Sequence, residues 1–143
     1  MSESGRCVVN RVRFVSSGLL AVGISLLILG LGCGDNSSAG KDLQVTNVAD
    51  NFQFQVTNTK SYSHTNTYTW SNSGLSASVN QASSISGGDA TLVVKDSAGT
   101  TVYTRSLKQN GTFNTATGSA GNWTIQLLAS KVTGTLNFRV QKL

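Results

Sequence analysis

The chain has 143 residues, room for one domain plus a targeting segment. Its formal charge is +5, but from Cys33 onward eight Lys/Arg face five Asp, a balance of +3. Those eight cations (Lys41, Lys60, Lys95, Arg105, Lys108, Lys131, Arg139, Lys142) are scattered with no two adjacent. A nucleic-acid partner needs them gathered on one face or one helix, so none is expected.

In chain order, the first element is an export segment. Arg6, Arg11 and Arg13 precede 21 consecutive uncharged residues, most apolar from Leu19 to Leu31. Charge, apolar run and small residues in that order are the layout of a secretory signal. The run is predicted to be a helix, with the arginines holding the amino terminus on the cytoplasmic side.

The run ends in Leu29-Gly30-Leu31-Gly32-Cys33, which resembles the lipobox of bacterial lipoproteins. The resemblance implies that the Cys33 thiol receives a diacylglyceryl group. It also implies cleavage just before Cys33 and acylation of the new amino terminus, palmitate being the usual chain. Gly32 matches the small residue expected before the cut, whereas Gly30 stands where leucine is usual. Two other readings of the residues stay open. The run is long enough to remain as an anchor across ~30 Å of hydrocarbon, and Ser37-Ser38-Ala39 offers an ordinary cleavage site. The expected organisation is a signal peptide over 1–32, a lipidated polar tether over 33–42 and a domain over 43–143. Gly34, rather than aspartate, follows Cys33, so the resemblance implies the outer membrane where the host has one.

Cys7 falls in the segment that leaves, so the exported part keeps Cys33 alone. It then has no disulfide and no cysteine-based metal site. Its stability has to come from a packed core, which about 110 residues can supply.

From Leu43 onward the apolar residues alternate rather than recurring every three or four, which predicts strands. Phe52, Phe54 and Val56 alternate with glutamines. Tyr62, His64, Asn66, Tyr68 and Trp70 share one face of a segment whose other face is only Ser and Thr. Leu75, Ala77 and Val79 form the next alternation. Ala90, Leu92 and Val94 lead through the turn Asp96-Ser97-Ala98-Gly99 into Thr101, Tyr103, Arg105 and Leu107, a predicted hairpin. Asn110-Gly111 signals a turn before Phe113. Trp123, Ile125 and Leu127 make one further strand, and Leu136, Phe138 and Val140, after Gly134, another.

About seven or eight short strands predict an all-β fold, a single antiparallel β-sandwich of jelly-roll or immunoglobulin-like form. The stretches Gly121-Asn-Trp-Thr-Ile-Gln-Leu and Gly134-Thr-Leu-Asn-Phe-Arg-Val resemble the closing strands of small jelly-roll modules. Pre-peptidase carboxy-terminal domains and Golgi-dynamics domains end similarly, and the resemblance implies a binding or accessory role.

Chemistry is sparse. The single histidine, His64, sits on a Ser/Thr/Asn-rich strand, and no Gly-x-Ser-x-Gly elbow occurs. His and Cys are too few for a zinc centre. Asp89 and Asp96 are candidates for calcium, but Asp96 opens a turn, where aspartate caps backbone amides. No catalytic residue, metal or cofactor is expected, and the chain is not read as an enzyme. Tyr62, Tyr68 and Trp70 are a candidate sugar-stacking platform. Set against that, an aromatic strand face opposite a hydroxylated one is what a core strand predicts. The expected function is that of a lipid-anchored envelope protein with a non-catalytic binding domain outside the cytoplasm. The membrane and an envelope protein or glycan are its expected partners, and a carbohydrate-binding module facing glycan or peptidoglycan is the alternative.

Overall fold

The computed structural model describes residues 42–143, so the predicted signal helix and Cys33 lie outside it. Its regular structure is all strand: β1 (Asp42–Val48), β2 (Asn51–Asn72), β3 (Ala77–Gln81), β4 (Ser84–Lys95), β5 (Thr101–Ser106), β6 (Gly111–Asn114) and β7 (Gly121–Lys142). All pairings are antiparallel within one seven-stranded sheet. The expected hairpin through Asp96–Gly99 joins β4 to β5.

Four features depart from the expected strand list. Residues 52–56 and 62–70 belong to one 22-residue strand, β2, and Gly134 lies inside the equally long β7 rather than before a new strand. Strand β1 carries Leu43 and Val45 alternating with Gln44 and Thr46, an edge strand without a buried residue. Leu75, expected on a strand face, precedes β3 and is 56% exposed.

The long strands fold back on themselves. Sixteen residues of straight strand from Phe52 to Tyr68 would span about 53 Å, yet the two rings lie 5.2 Å apart. The bend is built from β-bulges. Asn58 and Ser61 in β2, Lys131 in β7 and Gly88 in β4 all have positive φ, and each sits at a register shift. One inserted residue reverses which face alternate side chains occupy. β2 has two insertions, so Phe52, Phe54, Val56 and Trp70 all point inward at even positions, with Thr59 between the bulges buried at an odd one. β7 has one insertion, so its inward set changes from Trp123, Ile125 and Leu127 to Val132, Leu136, Phe138 and Val140. β4 follows suit, from the partly buried Ile85 to Ala90, Leu92 and Val94. The phase changes in the sequence are therefore what keep one apolar face inside around the corner.

Side chains then pin the two halves together. Phe54 stacks on Phe138 at 5.3 Å, and Tyr68 packs against Phe52 and Phe54. The Trp70 indole N–H donates to the Val48 carbonyl at 3.1 Å, and the Asn47 amide donates to Thr69 O at 2.9 Å. Tyr103 on β5 donates its hydroxyl proton to Gln81 Oε1 on β3 at 3.1 Å. At the open side the Arg105 guanidinium covers the Phe113 ring, 3.9 Å from its centroid, a cation–π contact.

The bend gives the domain two poles. One holds the bulges of β2, β4 and β7. At the other, the Asp50 N–H donates to Ser71 O and the Lys142 N–H to Asp50 O, while the Gly118 N–H donates to Leu75 O. Strand β1 starts beside the bend, with Asp42 paired to Thr57, and runs to the loop pole, where Val48 pairs with Asn51.

Asp96 organises the loop pole. Its Oδ1 accepts from the N–H groups of Ala98 and Thr100, and its Oδ2 accepts from the Ser119 N–H at 2.9 Å. Burial alone would raise its pKa. The amide bonds from Ser119, Thr100 and Ala98 outweigh that and hold it below the usual carboxylate value. A depressed folded-state pKa contributes stability above the ordinary aspartate range, and that stability is lost as pH falls through the folded value. Asp96→Asn is therefore expected to destabilise the domain near neutral pH and to flatten the decline in stability below about pH 4. Denaturant unfolding of both proteins across pH 2–7 measures it; parallel profiles would contradict the assignment.

Candidate functional site

Of the residues singled out from sequence, Cys33 lies outside the described residues. The aromatic trio is brought together only in part, and not as an open platform. Trp70 is fully buried and meets Trp123 edge-on at 5.9 Å; Tyr62 is 4% exposed, and Tyr68 is half-buried against the two phenylalanines. The expectation of a sugar-stacking surface is corrected on this point. The bend turns this face of β2 toward the opposite half of the sheet, leaving Ser63, Thr65, Thr67 and Thr69 to water.

Tyr62 donates its hydroxyl proton to Asn66 Oδ1 at 3.0 Å. Burial raises the pKa of both Tyr62 and Tyr68, with Tyr68 adding to the effect on Tyr62, so both stay neutral donors at physiological pH. His64 is exposed and its ring lies tilted against Tyr62, with centroids 4.7 Å apart. The ion pairs among the described residues, Lys108–Asp89 and Lys142–Asp50, do not involve it. This places an aromatic ring, rather than a carboxylate, beside the histidine.

The calcium candidates are separated. Asp89 lies beside the bend, paired to Lys108 at 2.7 Å, while Asp96 closes the loop pole with both oxygens already accepting amide protons. Among the described residues no three His, Cys, Asp or Glu side chains gather as metal ligands. Asp50 has a structural role as well. Its carboxylate accepts from the Ser73 N–H and Ser73 hydroxyl and faces Lys142, which together hold its pKa below the usual value.

Sequence reading missed the bend and the two lysines it presents. Lys60 and Lys131 are both exposed there, and neither belongs to an ion pair among the described residues. Lys131 has φ 51°. A left-handed lysine leaves no compositional signature, since such positions are ordinarily read from Gly or Asn. No protein-family model, curated protein or solved structure matches this chain.

Proposed function

We propose that this chain is a lipoprotein of the bacterial cell envelope, anchored through Cys33, whose domain serves a non-catalytic binding role outside the cytoplasm. The observation that carries the reading is the apolar run ending in Leu29-Gly30-Leu31-Gly32-Cys33, followed by eight residues and then the first strand residue, Asp42. A thiol at the end of an export signal, on a short polar tether and with no second cysteine downstream, is placed for lipid attachment. Two or more acyl chains, at ~0.8 kcal/mol per buried methylene, make release from a membrane slow. The folded-over sheet is read as a two-layered sandwich, and the exposed His64 lies against the Tyr62 ring rather than a carboxylate. With Gly34 after the cysteine, the outer membrane is the favoured address where the host has one.

Detergent phase partition tests the anchor. The native protein is expected in the detergent phase at mature length, and Cys33→Ala either in the aqueous phase as a cleaved, secreted protein or in the detergent phase as a full-length precursor that keeps its apolar run. Equal detergent partition of a mature-length Cys33→Ala protein would defeat the lipid assignment.

A further inference from the structure

We infer that the bend pole of the domain docks on an anionic phospholipid surface through Lys60 and Lys131, leaving the opposite, loop pole facing away from the membrane. The inference rests on the anchor reading above and adds an orientation to it.

The first observation is where the chain enters. Eight residues separate Cys33 from Asp42, so the first residue of β1 lies within about 30 Å of the lipidated position even at full extension. Asp42 pairs with Thr57, one residue from the bulge at Asn58. The tether therefore enters the domain at the bend pole, while β1 leads away from it toward Val48 and the loops.

The second observation is charge. Lys60 and Lys131 stand on the two strands that bend side by side, with Thr59 paired to Gly134 and Tyr62 to Val132 on either side of them. Neither has an acidic partner among the described residues. Of the nearby carboxylates, Asp89 is paired to Lys108, and Asp42 accepts a hydrogen bond from the Thr57 hydroxyl. Asp50 and Asp96 are both at the other pole, the former beside Lys142 and the latter closed by amides. With Asp42 counted against Lys60 and Lys131, the bend side keeps one cation in excess, whereas Lys95 and Lys142 at the loop pole are balanced by Asp50 and Asp96, so the more cationic side is also the tethered one.

The third observation is backbone conformation. Lys131 adopts φ 51° at its bulge, a region in which a side chain other than glycine is strained. Folding would be better served by glycine there. Lys131 shares this conformation with Asp50, Asn58 and Ser61, and of the four it alone puts a cation at the bend.

A lysine near an anionic bilayer contributes roughly a fivefold preference at low salt, an effect confined to about one Debye length. Two lysines suffice to orient a domain already held by lipid, though not to recruit one by themselves.

The test uses the acylated protein, purified from membranes and reconstituted into vesicles of phosphatidylcholine alone or phosphatidylcholine with phosphatidylglycerol. Amine acetylation read by mass spectrometry follows each lysine separately. Lys60 and Lys131 are expected to react several-fold more slowly on the anionic vesicles than on the neutral ones, with the difference lost at high salt. Lys95 and Lys142 are expected to react equally on both. Lys131→Gly should raise the thermal midpoint, because glycine adopts the left-handed backbone there without strain. Unchanged rates at Lys60 and Lys131, or slowing at Lys95 and Lys142 instead, would overturn the orientation. A Cys33 without acyl chains in the same spectra would instead remove the anchor on which it rests.

Discussion

Gly134→Ala is expected to destabilise the domain by about 3 kcal/mol or more, among the largest effects of any single methyl group in this protein. Gly134 has φ 129°, a backbone region essentially reserved for glycine. A Cβ there would collide with the Ser84 carbonyl oxygen and crowd Ile85 on the neighbouring strand. Gly134 also receives the Thr59 hydroxyl on its carbonyl at 2.9 Å, the bond that fastens β2 to β7 between the β2 bulges. Neither clash can be relieved by rotating a side chain, because the obstacle is backbone in the middle of the sheet. Parting β4 from β7 would undo the corner that lets one apolar face turn inward twice. Gly99→Ala is the matched control. Gly99 also has positive φ, at 83°, but a Cβ there meets nothing within 4 Å, so only the conformational cost of about 1 kcal/mol applies. Denaturant unfolding of the two variants gives the comparison. An equal or smaller loss for Gly134→Ala would show that the bend is not under the steric constraint described.

Trp70→Ala carries the second large effect, about 3–5 kcal/mol, as expected for a fully buried large aromatic. The indole fills the inner face between Trp123 and the β1–β2 turn, and its N–H satisfies the Val48 carbonyl. Truncation would leave a cavity, remove the edge-on aromatic pair and strip a hydrogen bond that links the second half of β2 to β1. Trp70→Phe separates these contributions. It keeps most of the apolar bulk and loses the donor, for an expected cost nearer 1–2 kcal/mol. Near-ultraviolet circular dichroism and equilibrium unfolding report on packing and stability together. A Trp70→Ala protein with native stability would place this residue on a surface, and would reopen its reading as a ligand platform.

The alternations of Phe52-Phe54-Val56, Ala90-Leu92-Val94 and Trp123-Ile125-Leu127 were enough to read an all-β chain and most of its core. They could not show that two strands run uninterrupted through the bend. Between Val56 and Trp70 the pattern passes through two bulges, and between Leu127 and Leu136 it changes phase once. A phase change in a period-two pattern is equally consistent with a loop between two strands and with one extra residue inside a single strand. Only pairing distinguishes them, and pairing is set by partners that are far away in sequence. Gly134 illustrates the ambiguity: it reads as a turn, but its lack of a side chain serves a close strand crossing. The aromatic trio was ambiguous for a related reason. The hydroxylated face of Ser63, Thr65, Thr67 and Thr69 marked one side as wet, and the bend decided that the other side was covered. The reading of Cys33 rests instead on a contiguous pattern that needs no tertiary contact, and it lies outside the described residues. Lys60 and Lys131 carried no such mark.

The anchor is the centre of the account, and the intact mass of the mature protein tests it most directly. The expected species begins at Cys33, with a diacylglyceryl group on its sulfur and an acyl chain on its new amino group. Cys33→Ala should yield no species that starts at residue 33 and bears lipid. A mature chain that retains residues 1–32, or one that starts at Gly40 without lipid, would contradict it.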